Sequence, residues 1–139
     1  MEKFFTIKNH NDIYNAIGQI IQAAQYWEQD YRDYASMVGG LPIDKLDIAT
    51  LRRLNTSLME EGKITEKEFR DLKQVIHLRN YINHEFFLVD FYKDYEWLEE
   101  KLNNTLFMIY EASDVVANMK DRLVDSGVLR PTVFDEVKA

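Results

Sequence analysis

The chain contains no cysteine, which excludes disulfide cross-links, a thiolate nucleophile and any cysteine-ligated zinc or iron–sulfur centre, and fits a reducing cytoplasm. No apolar run approaches the roughly 18 residues of a membrane span, and the opening MEKFFTIKNHND carries no apolar leader core. A soluble, cytoplasmic protein without membrane contact is expected. Basic excess is also missing: the net charge is −7, against broad nonspecific binding to nucleic acid and against DNA as a partner. Several chemical signatures are absent as well. There is no glycine-rich phosphate loop and no Gly-x-Ser-x-Gly elbow. His84-Glu85 begins a zincin-like pair, but Leu88 stands where the second metal histidine belongs, and no Glu-x-x-His pair offers a di-iron site. No metal or cofactor is implied, so any chemistry falls to arginine, histidine and amide side chains.

What is present argues for a folded chain. Of its residues 46% are apolar, with 8 Phe, 8 Tyr and 2 Trp, and 139 residues suffice for one domain with a single core. The charge is unevenly spread. From Lys45 to His84 there are eight basic and six acidic residues, whereas the remainder holds nine basic and eighteen acidic. The net-positive stretch permits a local phosphate site.

The pattern predicts an all-α, up-and-down bundle of four main helices, with room for a short fifth, and no strand-like alternation or internal repeat. Asn11 or Asp12 can cap a first helix running to Val38 and stopping at Gly39-Gly40. Its stripe of Ile13, Ile17, Ile20, Ala24, Trp27, Tyr31, Tyr34 and Val38 alternates steps of four and three, the mark of a packing seam. Tyr26, Tyr31 and Tyr34 are read as packing residues before base-stacking ones. A second helix spans about 46–61, with Leu51, Leu54 and Leu58 facing inward, and Gly62 ends it. Thr65 and Glu68 form a capping box, flanked by Ile64 and Phe69 as a hydrophobic staple, so the third helix starts at Glu66. It is expected to extend to about Phe91. Asp94 can cap a fourth helix, which carries Leu98, Leu102, Ile109, Ala112, Val116, Met119 and Leu123 on one face to about Asp125 and ends at Gly127. The tail beyond Val128, with Pro131, is expected to pack loosely.

The sequence Arg79-Asn80-Tyr81-Ile82-Asn83-His84 is expected well inside that third helix. At 100° per residue, Leu72, Val75, Ile76, Ile82, Phe86 and Phe87 fall within roughly 80° of Arg79, which places a guanidinium on the apolar face. Lys73, His77, Asn80 and His84 form a polar stripe beside it, with Asn83 between. A charge on a buried face loses several kcal/mol of hydration unless it is paired. Either Arg79 pairs with an acid on another helix, such as Glu28, Asp30, Asp33 or Glu111, or it binds phosphate in a cleft. A helix-turn-helix reading of the second and third helices fails, because the third is too long and apolar and its surroundings too acidic.

Arg-Asn-x-x-x-His in the penultimate long helix of a small helical chain resembles the signature of the HEPN superfamily, Arg-x4-6-His with a polar residue after the arginine. The resemblance implies a helical bundle, commonly a homodimer in which two copies of the motif meet. It implies a metal-independent endoribonuclease of toxin–antitoxin or phage-defence type, or a catalytically silent nucleotide- or RNA-binding relative. A cognate antitoxin or nucleotidyltransferase is the partner it implies. Arg79 then matches the motif arginine, Asn80 the polar residue and His84 the histidine. Lys73, His77 and Asn83 are additional substrate-binding candidates. One departure stands out: the tyrosine that often follows two residues after the histidine, and is adenylylated in such systems, is here Phe86.

Overall fold

The computed structural model describes residues 3–39 and 50–125. They form an all-α bundle of four main helices and one short one: α1 (His10–Val38), α2 (Leu51–Glu60), α3 (Glu66–His84), α4 (Phe86–Val89) and α5 (Tyr95–Asp125).

The α1 stripe is core. Ile13, Ile17, Ile20, Ala24, Trp27, Tyr31 and Tyr34 are all buried, and Val38 packs at the margin. Tyr26, in contrast, is exposed; it precedes Trp27 on the wheel and faces away from the seam. The cap also lies earlier than the sequence suggested. Asn9, in extended conformation, accepts the Asp12 N–H through its side chain at 2.9 Å, and the Asp12 carboxylate in turn accepts the Lys8 N–H at 2.9 Å. Asp12 is therefore the third residue of the helix, serving the cap rather than being it. Gly39, at φ 68, closes the helix in the left-handed conformation that glycine adopts without a Cβ clash.

Helix α2 starts at Leu51 behind a Thr50 cap, so its earlier expected turn, 46–49, lies outside the described residues, as do Gly40, Gly127 and the tail. Leu51, Leu54 and Leu58 are buried as their spacing requires. The α3 capping box forms in both directions, Thr65 N–H to Glu68 Oε1 at 2.8 Å and Glu68 N–H to Thr65 Oγ1 at 3.1 Å. Helix α5 begins after Asp94, whose carboxylate accepts the Trp97 N–H at 2.8 Å.

Helix directions follow from paired residues. His10 meets Tyr95 and Asp30 meets Lys120, so α1 and α5 run the same way. Glu68 meets Arg122 and Lys101 lies over Tyr81, so α3 runs against α5. One end of the bundle thereby gathers the start of α1, the end of α3, all of α4 and the start of α5.

Two buried amides tie the layers. Asn55 of α2 accepts from the Tyr31 hydroxyl of α1 and donates to the Phe69 carbonyl of α3 at 3.1 Å. Asn103 of α5 accepts the N–H groups of Phe4 and Phe5 at 2.6 and 3.0 Å and donates to the Phe5 carbonyl at 3.0 Å. The extended segment before α1 is thus pinned across α5, burying Phe5 and Ile7.

Candidate functional site

Helix α3 ends at His84 and does not continue to Phe91. The Arg79–His84 motif therefore occupies its last turns, not its middle. No Gly or Pro causes the break. The chain turns at Glu85, buries Phe86 completely, and is drawn back by a hydrogen bond from the Tyr81 hydroxyl to Asp90. Phe86 enters the core as the wheel requires, but Phe87 is left exposed because the turn at Glu85 rotates it outward. The Tyr81 hydroxyl is held protonated, its pKa raised first by burial and then by the facing Asp90 carboxylate.

Arg79 reaches across to α1. Its Nη2 donates to Glu28 Oε1 and Oε2 at 3.3 and 3.5 Å, and its Nη1 donates to Asn80 Oδ1 at 3.0 Å. Glu28 also accepts from Arg32 at 3.2 Å, so one carboxylate is shared by two guanidiniums. Of the four candidate acids, Glu28 is the partner. The site is semi-exposed: the Arg79 and Glu28 side chains keep 28% and 20% of their accessible surface. Glu28 and Asn80 fix the plane of the guanidinium at an open edge of the core, rather than neutralising it within a sealed interior.

The other candidates face solvent. His84, Asn83, His77 and Lys73 are exposed, and Asn80 is half-buried beside Arg79. The fold brings Arg79 and Asn80 into direct contact, whereas His84 points from the end of α3 without sharing in that contact. Among the described residues, no three histidine, aspartate or glutamate side chains are gathered so as to hold a metal ion, and no helix is long and apolar enough to cross a membrane.

The chain that follows His84 carries an exposed apolar surface that the motif alone did not signal. Leu88 is 81% and Tyr92 85% exposed, and Phe87 and Val89 accompany them. Tyr14 of α1 stacks on Phe87 at 6.0 Å between ring centroids, and His10 meets Phe91 at 5.2 Å. The run Phe86-Phe87-Leu88-Val89 reads as core when helix α3 is extended through it; breaking that helix is what turns three of the four outward. A second missed feature is a groove further back along α3, lined by Lys73, Gln74, His77 and Leu78 with Arg52 of α2 and Met108 of α5.

No protein-family model, curated protein or solved structure matches the chain.

Proposed function

We propose that the protein is a metal-independent endoribonuclease of HEPN type, toxin- or defence-related, which acts as a homodimer with a composite site. The observation that carries this reading is the arrangement at the end of α3: a guanidinium oriented by Glu28 and Asn80, and one turn beyond it a solvent-facing imidazole at His84. Those are the groups that RNA cleavage by its own 2′-hydroxyl needs. An imidazole titrates near neutral pH and can take the hydroxyl proton. A guanidinium presents paired donors to the pentacoordinate phosphate as charge builds.

In the step itself, His84 accepts the 2′-hydroxyl proton while the 2′-oxygen attacks phosphorus. The bond from phosphorus to the 5′-oxygen breaks, and the partner's His84 protonates that leaving oxygen. The products are a 2′,3′-cyclic phosphate and a 5′-hydroxyl. Arg79 binds the phosphate, exchanging its long Glu28 contacts for shorter ones to phosphate oxygens. Asn80 positions the guanidinium. Pairing of two chains is supported by the exposed apolar surface directly after His84, since large exposed apolar patches mark association sites. Phe86 has no hydroxyl and is fully buried, so adenylylation of a tyrosine at that position has no counterpart here. A cognate antitoxin would act by another route.

The test is RNA cleavage by the wild type in EDTA, compared with His84→Ala after both are shown to be folded. Cleavage by wild type alone is expected. Cleavage that persists in His84→Ala overturns the role given to that residue. A second reading, a helical-bundle interaction module in which Arg79 serves only structure, is favoured by the Arg79–Glu28 contact. It predicts no turnover by either protein.

A further inference from the structure

The groove between α2, α3 and α5 has a volume of about 540 Å³, within the range of small-molecule sites. Its floor is apolar, from Leu78 and Met108, and its rim carries the Arg52 guanidinium, the Lys73 ammonium, the Gln74 amide and the His77 imidazole. No carboxylate among the described residues lines it. Among the described residues, no carboxylate pairs with Arg52, Lys73 or His77 elsewhere either. In a chain of net charge −7, cations gathered without an ion-paired acid among the described residues form a local field that attracts an anion. The apolar floor asks for more than an anion. It suits a flat ring, with the amide of Gln74 at its edge.

We propose that this groove binds a nucleoside phosphate, the base resting on Leu78 and Met108 and the phosphate held by Arg52, Lys73 and His77. The proposal deepens the ribonuclease reading and rests on it for one point, the source of the nucleotide. His77 and His84 are seven positions apart on α3 and share one stripe; at 1.5 Å per residue they are about 10.5 Å apart along the axis. That span is about three nucleotides of a stacked strand at 3.4 Å each. A strand cut at His84 therefore passes the groove a few nucleotides away, and the groove sets its register. The same chemistry would also take a free mononucleotide.

The experiment uses the full chain, with AMP, inorganic phosphate and a short fluorescein-labelled single-stranded RNA as probes. Amide NMR shifts report on Lys73–Leu78, and fluorescence anisotropy gives RNA affinity across a salt series. The Arg52→Ala/Lys73→Ala double variant changes only exposed side chains and serves as the groove variant; His77→Ala is a second. AMP is expected to shift the groove amides, and the double variant to weaken both AMP and RNA about tenfold. For RNA, the salt slope should fall by about 0.7 for each phosphate that the groove no longer neutralises. RNA binding weakened without any AMP effect assigns the groove to the strand, and the reverse to the mononucleotide; both support it. Unchanged RNA affinity in the double variant together with no AMP shift overturns the proposal. So does inorganic phosphate reproducing the whole AMP response, which would reduce the groove to an anion site. A wild type that binds through the groove but never cleaves RNA defeats the ribonuclease reading alone. One that cleaves with a silent groove defeats this proposal alone.

Discussion

Arg79 and Glu28 face each other across the α1–α3 interface with 3.3 Å between Nη2 and Oε1, and Glu28 divides its charge between Arg79 and Arg32. The pair explains how the apolar face of α3 tolerates a guanidinium. It also leaves that guanidinium accessible, since its side chain keeps 28% of its surface, and a carboxylate shared by two cations neutralises neither fully.

The semi-exposed geometry predicts that Arg79→Ala remains folded and loses about 1 to 2 kcal/mol, between the 0 to 1 of surface pairs and the 3 to 5 of sealed ones. Urea denaturation at pH 7 measures this. A loss of 3 kcal/mol or more, or failure to fold, would assign Arg79 to structure. A small loss accompanied by abolished RNA cleavage would assign it to phosphate binding.

Local signals in the sequence were strong where backbone chemistry is local. The Thr65–Glu68 box set the start of α3 to the residue, and the stripes of α1 and α5 named most of the apolar residues that those two helices bury, because a buried face repeats with the helix period. The end of α3 was not legible. Phe86, Phe87, Leu88 and Val89 continue the apolar pattern, and the break is accompanied by a hydrogen bond between Tyr81 and Asp90 that no spacing rule identifies. Reading through that break placed the motif mid-helix and concealed the apolar surface. Arg79 was recognisable as a charge needing a partner, but four acids qualified; only the packing of α1 on α3 selects Glu28. The groove was half visible, as Lys73 and His77 on the polar stripe. Arg52 and Met108 join it from other helices.

Asn103 shows what a mid-helix polar residue can conceal. Asn103→Ala removes the acceptor for Phe4 and Phe5 and the donor to the Phe5 carbonyl. Each buried group left unpaired costs about 1 to 3 kcal/mol, relieved in part as the segment detaches into water. A total loss of about 2 to 3 kcal/mol is expected, with faster amide hydrogen exchange at Phe5 and Ile7 while the α1 core stays protected. Unchanged exchange at those two amides would mean that the burial of Phe5 and Ile7, not Asn103, anchors the segment.

Acid should weaken the fold through two carboxylates. Burial pushes the Glu68 pKa up, but the Arg122 guanidinium, bidentate at 3.0 and 3.1 Å, and the Thr65 groups outweigh it and bring the value below the ordinary 4.5. Glu99 is lowered by the Ile7 N–H and then by Lys3. A folded pKa below the unfolded one means that the stabilisation is fully present above about pH 4.5 and is lost as pH falls through the lower, folded value. Denaturation measured from about pH 7 to about pH 3 should show stability falling below about 4.5, and Glu68→Gln should flatten part of that fall. An identical profile in the variant would remove Glu68 from the account.

The apolar surface that follows His84 in the chain gives the most direct test of the composite site. Leu88 and Tyr92 are almost wholly solvent-exposed in the single chain, so Leu88→Glu should change the stability of that chain by no more than about 0.5 kcal/mol. In a dimer paired through this surface, the same change buries two unpaired carboxylates facing each other, a cost of several kcal/mol. Sedimentation velocity should therefore find wild type as a dimer and Leu88→Glu as a monomer with an intact helical spectrum. The composite site requires that the monomer also lose cleavage although Arg79, Asn80 and His84 are untouched. A Leu88→Glu protein that stays dimeric would move the interface elsewhere, and a monomer that cleaves as well as wild type would show one chain to be sufficient.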